Sequence, residues 1–468
     1  MTAGPSVSRR IFATGAAASF AGAWLAGSSA HARPTCSSPI FSGAQSAMPA
    51  GASGMALVAM EGGQAILTRC AGLASRAFSV PVTERTLFQL GSVSKHVTAV
   101  AVLRLAEQGV LRLDDPVGRY ISGFPEDWGR ATILQLLTHS GGLPANFESQ
   151  PPDRPFTRDV AMAFARELPA LAAPGTTWLY SNIGYVLLGF LIENISGHSY
   201  GDHIGQLFRD HGLTDSRVDA GGEFIPDRAE PALFRDGRFH RAPQMSNDVS
   251  GVAAGGLLMS ARDVARWEQA LRGDDLLSAR SKQIMHTDAH LDTGRSTGYG
   301  TGWRIESAGP GKPFYMHTGN VPGFRAFYFR SAVHDRACMM LLAGEAKMVP
   351  VGMAAVEQIW CGETPLSLPP IRDRSPALTD ALKSLLQGQS DLTGILAPEL
   401  ARLPLAVARQ ELFRITPADM AALDGFTLVE DVETRLERRR RYVVKLGERV
   451  LPLLVGYTPE GRIFRVTL

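Results

Sequence analysis

FQLGSVSKHVTAVAVLRLAEQ, residues 88–108, decides the reading of this chain. Residues 86–90 read as a short strand that runs into Gly91. Residues 92–108 are apolar on nearly every side, with Val97, Val100, Ala101, Val102, Leu103 and Leu105. A helix of that kind is buried, and Gly109 supplies its stop. Ser92 at the first turn and Lys95 three residues on share one helix face. The helix N-terminus favours negative charge beside Ser92. A serine hydroxyl is a weak nucleophile alone, and a buried lysine pushed toward its neutral form is a base for it. An ordinary N-cap serine with a snorkelling lysine gives the same four letters, so this motif does not decide the matter by itself.

Two further motifs follow in order. Tyr180-Ser181-Asn182 precedes an apolar helix, and His317-Thr318-Gly319 runs into Asn320-Val321-Pro322-Gly323-Phe324. Leu136-Leu137-Thr138-His139-Ser140-Gly141-Gly142-Leu143-Pro144 lies between the first two. Leu113-Asp114-Asp115-Pro116, Ala254-Gly255-Gly256, Ser260-Ala261-Arg262-Asp263 and Tyr299-Gly300-Thr301-Gly302-Trp303 complete the set. This ordered constellation resembles the serine β-lactamase and penicillin-binding protein superfamily, in its class C-like branch. The resemblance covers about residues 50–362.

The resemblance implies an α+β fold: an antiparallel sheet flanked by helices beside a mainly helical lobe, with Ser92 in the cleft between them. It implies Ser92 as the acylated nucleophile and Lys95 as its base, alone or with Tyr180. Tyr180 would pass a proton to the leaving group. Asn182 would hold Lys95 and contact the substrate. The backbone N–H groups of Ser92 and Asn320 would form an oxyanion hole, and His317, Thr318 and Gly319 would line the strand edge along which the substrate lies. The departure from the pattern is His317. β-Lactamases and D,D-carboxypeptidases of the superfamily usually carry a lysine there, suited to a substrate carboxylate. Histidine, with an ordinary pKa of about 6.5, is mostly neutral, and His-Thr-Gly looks more like the esterase and D-aminopeptidase branches. Arg325 is a candidate to restore the charge, although an exposed strand arginine is the plainer reading.

The resemblance implies no metal or organic cofactor. The expected function is hydrolysis of a small-molecule ester or peptide/amide through a Ser92 acyl-enzyme, with β-lactam hydrolysis weak. The rival expectation is a non-catalytic receptor for cell-wall fragments or a protein partner. The joint presence of Ser92, Lys95, Tyr180 and Asn182 argues against it, because a binder does not need all four.

The chain has 468 residues, 45% hydrophobic and 20% charged, with mean hydropathy near zero. Disorder and a multi-span membrane protein are excluded. Its 47 basic and 45 acidic residues leave a net charge of +2, too small a field to suggest nucleic acid or an anionic membrane as partner. Residues 1–32 read as a Tat-type signal peptide: Arg9-Arg10, an uncharged Ala/Gly-rich run, then Ala30-His31-Ala32. A periplasmic or secreted protein follows, with no membrane attachment after cleavage. The hydrolase-like domain is expected over 40–364, a Pro-rich linker over 365–376, and a small C-terminal α+β domain over 377–468. Within them the patterning gives a hairpin over 54–71, helices near 160–167, 183–195, 261–271 and 351–360, and strands near 303–307, 324–329 and 338–343. Helical stretches occupy 377–423, and strands with turns at Gly447 and Gly461 occupy 426–468.

Several signals compete. Gly197-His198-Ser199-Tyr200-Gly201 fits a nucleophile elbow, but the segment before it reads as a buried helix, and Ser199 reads as an N-cap. His286 and His290 have a helical zinc spacing without the glutamate of H-E-x-x-H, so a solvated loop is expected there. Arg438 to Arg441 read as an exposed strand end rather than as an anion site. His139 reads as a hydrogen-bonded structural residue. Cys36, Cys70, Cys338 and Cys361 allow three pairings, and their spacing selects none.

Overall fold

A computed structural model describes residues 48–147, 157–219, 224–243, 253–386, 394–403, 423–446 and 449–467. The signal-like segment, Cys36, part of the expected helical stretch before residue 423, and Gly447 lie outside the described residues.

The sheet is antiparallel and seven-stranded. Its order is Val80–Pro81, Gln64–Ser75, Ala52–Glu61, Arg336–Gly344, Phe324–Ser331, Pro313–Val321 and Arg304–Ser307. Ala52–Glu61 sits inside this order and is buried at nine of its ten positions. Successive side chains of a strand point to opposite faces. Accordingly Ala56, Val58 and Met60 enter one core, while Met55, Leu57 and Ala59 enter another. The second core is closed by the Met348–Ile359 helix through Met348, Met353 and Val356. The first is shared with the helical lobe.

The lobe is built around the Ser94–Glu107 helix, which buries eleven of its fourteen residues. Fully burying one large aliphatic side chain contributes roughly 1.5–3 kcal/mol, so this helix is fixed from all sides. The Asn182–Ser196 helix packs beside it. Ser181 caps that helix, accepting from Gly184 N–H over 3.0 Å and donating to Pro144 O over 2.6 Å. Gly197, at φ +71°, ends it, and Ser199 caps the next helix by accepting from Asp202 N–H. The G-x-S-x-G segment is therefore a helix stop followed by a helix start.

At the C-terminus, Leu423–Glu433, Arg438–Leu446, Arg449–Tyr457 and Ile463–Thr467 form a four-stranded antiparallel meander. The Pro376–Leu386 helix packs on it through Leu382, Leu385 and Leu386. Within 365–376, Ile371 N–H donates to Leu428 O over 2.9 Å. The arginine run corrects the sequence reading. Arg440 and Arg441 are buried, because both lie inside a central strand of this sheet. Arg440 pairs with Asp373 and Asp431, and Arg441 pairs with Glu430 and Glu306.

Candidate active site

Ser92 lies in a single 3-10 turn, Gly91–Val93, between the Phe88–Gln89 strand and the Ser94–Glu107 helix. Gly91 has φ +53°, and a Cβ there would lie 2.9 Å from Asn320 N. A Cβ on Gly319 would lie 1.8 Å from Leu90 O. The first and third motifs therefore meet backbone to backbone, at a separation that only glycine permits. That contact brings the Asn320 amide to the turn that carries Ser92.

Lys95 is wholly buried. Its Nζ contacts Ser92 Oγ at 3.2 Å, Asn182 Oδ1 at 2.7 Å and Ala254 O at 2.8 Å. Asn182 is oriented by its own Nδ2, which donates to Asn146 Oδ1 over 2.6 Å and so turns Oδ1 toward the lysine. Asn182 Oδ1 and Ala254 O can only accept. With N–H groups directed at these two acceptors, the Lys95 amine stands within hydrogen-bond reach of the Ser92 hydroxyl. This is the geometry of a general base for an alcohol. Lys95 Nζ also lies 5.0 Å from the Tyr180 ring centre.

Tyr180 is buried, and its ring stands 4.2 Å from that of His139. Ser181 N–H donates to His139 Nδ1 over 3.1 Å. His139, at φ +62°, is thereby held as a structural residue among the rings of Tyr180, Tyr185 and Tyr299. His317 is also buried, at 3% exposure. Its Nδ1 lies 2.8 Å from Thr318 O, a pure acceptor, so Nδ1 carries the proton. In the neutral ring the Tyr299 hydroxyl then donates to Nε2 over 2.9 Å. Both ring nitrogens are thus engaged within the protein. Thr318 is partly exposed and Asn320 exposed on the same strand. The Arg304–Ser307 strand pairs only with Pro313 to Met316, so the edge from His317 onward has no strand beside it among the described residues.

Arg325 departs from the exposed strand arginine of the sequence reading. Its side chain is largely buried and donates to Val321 O over 2.7 Å and Phe324 O over 2.9 Å. It ties the turn after the third motif and is committed there. The His286 segment also differs from a solvated loop. His286 ends the Ala279–Met285 helix and stacks on Tyr315 at 4.0 Å. Burial pushes its pKa down to about 3, and no group of metal-ligating side chains occurs among the described residues. Cys361 is disulfide-bonded, whereas Cys70 and Cys338 are free thiols that burial raises to about 11 and about 12.

Sequence reasoning missed three parts of this site. Asn146, which orients Asn182, carries no motif. Ala254 and Tyr299 lay within segments of the resemblance, but their contacts to Lys95 and His317 had no sequence signal. Residues 44–356 match the family described as Beta-lactamase.

The chain belongs to the Beta-lactamase family.

It is a serine hydrolase of that superfamily. It is 28% identical over 412 residues to a penicillin-binding protein of Bacillus subtilis (strain 168), covering 80% of this chain and 90% of that protein. It is 30% identical over 260 residues to Esterase EstB of Burkholderia gladioli, covering 47% of this chain and 65% of the esterase. In fold it is similar to the octameric penicillin-binding protein homologue from Pyrococcus abyssi, at TM-score 0.57 and 22% identity over 88% of this chain and 91% of that one. That last likeness extends the shared fold beyond the Beta-lactamase match.

Proposed function

We propose that this member of the Beta-lactamase family is an exported hydrolase that cleaves ester or peptide/amide bonds through a Ser92 acyl-enzyme. The observation that carries the reading is the Lys95 amine, wholly buried, 3.2 Å from Ser92 Oγ and held from behind by two acceptors. Lys95 takes the Ser92 proton as Oγ bonds to the substrate carbonyl carbon. The oxyanion is met by the N–H groups of Ser92 and Asn320. The leaving alcohol or amine departs with a proton passed through Tyr180, and Ser92 is left as an ester. Water, deprotonated by the same Lys95–Tyr180 pair, adds to that ester and releases the acid, and the proton returns to Ser92. An extended substrate lies along the open edge of His317 to Asn320.

Histidine at 317, where β-lactamases and D,D-carboxypeptidases usually carry a lysine for a carboxylate, supports ester or D-amino-acid peptide/amide substrates over β-lactams. The relatedness to an esterase and to a penicillin-binding protein supports the same range. The Arg9-Arg10 segment supports export to the periplasm or outside. Among the described residues no helix is long and apolar enough to cross a membrane.

The test is a panel of a short-chain nitrophenyl ester, a D-amino-acid nitroanilide, a D-Ala-D-Ala peptide and a chromogenic cephalosporin, each run with Ser92→Ala. Turnover that disappears in the variant is expected, with the ester or a D-peptide the best substrate. Equal rates in Ser92→Ala would assign the turnover to a different nucleophile, whereas no turnover on any substrate, or failure of a fluorophosphonate to label Ser92, would replace this reading with the receptor.

A further inference from the structure

The C-terminal sheet lies beyond the motifs that make the active site, yet it grips the segment that leads into Tyr299. A Cβ on Gly298 would lie 2.4 Å from Arg465 Nη1, so the guanidinium rests directly on that backbone. Arg465 is buried and reaches toward Ser296 O at 3.4 Å. From the turn between the first two strands of that sheet, Glu437 Oε2 accepts Ser296 N–H over 3.2 Å. Arg295 pairs with Glu399 and stacks on the Phe464 ring at 5.3 Å. Three residues on, the chain is hydrogen-bonded back to Asp288 and Ala289. Asp288 Oδ1 accepts Gly298 N–H over 2.8 Å, and Ala289 N–H donates to Tyr299 O over 2.9 Å. Tyr299 then holds His317.

A second contact arrives from another side. Leu179, at 2% exposure, belongs to the core of the C-terminal sheet, together with Leu382, Leu453 and Tyr457. The next residue is Tyr180. A third contact is the buried pair of Arg441 with Glu306, 2.9 Å, on the strand beside Pro313–Val321. A sheet that was only appended would have no reason to bury charged groups on two of these segments, 295–298 and the Arg304–Ser307 strand, since desolvating such groups is costly unless their geometry is fixed.

We propose that the C-terminal sheet is a working part of the active site, with Arg465 and Glu437 as positioning residues that clamp 295–298 so that Tyr299 holds the His317 imidazole in place. The clamp acts through the backbone of residues 296–298 and touches no substrate atom. The kinetic arms of its test rest on the acyl-enzyme reading.

The experiment compares Arg465→Ala, Arg465→Lys, Glu437→Gln, Tyr299→Phe and the double variant Arg465→Ala/Tyr299→Phe in the full chain. Initial rates on the best panel substrate and the ring signals of His317 in ¹⁵N-histidine-labelled protein are both read. Arg465→Ala is expected to lower kcat at least tenfold with KM changed less than threefold, and Arg465→Lys to recover part of the loss. The double variant should be no slower than Tyr299→Phe alone, because both act through one contact. Arg465→Ala should also move the His317 ring signals, and Glu437→Gln should do the same to a smaller degree. If Arg465→Ala does not fold, Glu437→Gln carries the test, with the same direction of change in kcat and in the His317 signals and a smaller size. Unmoved His317 signals, or variants that lower only the melting temperature while kcat and KM stay at wild-type values, would overturn the proposal. Absence of Ser92-dependent turnover in the wild type counts against the acyl-enzyme reading, and the His317 signals then decide the clamp by themselves.

Discussion

The indole N–H of Trp267 donates to Nε2 of His96 over 2.7 Å. An indole only donates, so His96 must accept at Nε2, and its proton sits on Nδ1, which donates to Val93 O. The ring is wholly buried between Trp267, Trp303 and Tyr328, one residue after Lys95. Burial pushes its pKa down to about 3. In the unfolded chain the ring protonates near its ordinary pKa of about 6.5. Between those two values the unfolded state binds more protons, so stability rises with pH. The contribution is complete above pH 6.5 and is lost as the pH falls toward 3. His286 acts in the same direction. The melting temperature is expected to fall steadily from pH 6.5 to 4, and less steeply in His286→Phe, which keeps the stacking on Tyr315. A flat profile over that range contradicts the account.

Lys95 has no substitute in its site. Lys95→Ala is expected to lower kcat by about 10²–10⁴-fold, the usual worth of a positioned base. Lys95→Arg should not rescue it, because a guanidinium does not deprotonate and its planar fork does not fit a socket for a primary amine. Asn182→Ala, which removes one of the two acceptors behind Nζ, should lose less than Lys95→Ala. Steady-state rates on the panel substrates check the order of the three.

The backbone contact between the first and third motifs predicts a sharp response to one methyl group. Gly319→Ala places a carbon 1.8 Å from Leu90 O, which the strand can relieve only by moving away from the Ser92 turn. A cost of about 1–3 kcal/mol or more is expected from overpacking. Labelling of Ser92 by a fluorophosphonate should slow as the Asn320 amide withdraws. Gly425→Ala, where nothing lies within 4 Å, is the control for both urea unfolding and labelling.

Arg440 is buried with its charge balanced by Asp373 and Asp431. Arg440→Met leaves two carboxylates facing an apolar chain, and removing one partner of a buried pair costs about 3–5 kcal/mol. Both acids keep some solvent contact, at 26% and 14% side-chain exposure, which puts the expectation near the lower end. Urea unfolding, with C-terminal and whole-chain probes followed separately, measures it. A loss no larger than that of an exposed arginine would show that the pair is not desolvated.

The sequence was most legible where one periodicity ran without interruption. The 92–108 helix, the hairpin around Gly62-Gly63 and the capping role of Ser199 all follow from local pattern, and each is present. The strand Pro313–Val321 was not found by alternation. Its burial does not alternate strictly, with two adjacent buried residues, Met316 and His317. The arginine run was misread for a related reason. Charge suggests solvent, but a central strand flanked by acidic residues on neighbouring elements buries charge with its partners. The contacts of Asn146, Ala254 and Tyr299 were illegible, because each depends on what the fold brings next to it across tens to hundreds of residues.

The sheet that supports all of this joins the two ends of the main body. Ala52–Glu61 lies against Arg336–Gly344, with Met55 opposite Leu342, partners about 290 residues apart along the chain. While the ribosome is still making the middle of the protein, the first hairpin therefore waits with one edge bare. Closing so long a loop is slow, and non-local strand pairing is the slow step in folding sheets. The Ser92 turn packs on the third motif, so a chain that stops short of residue 317 carries Ser92 and Lys95 but lacks the Asn320 amide that lies against Gly91.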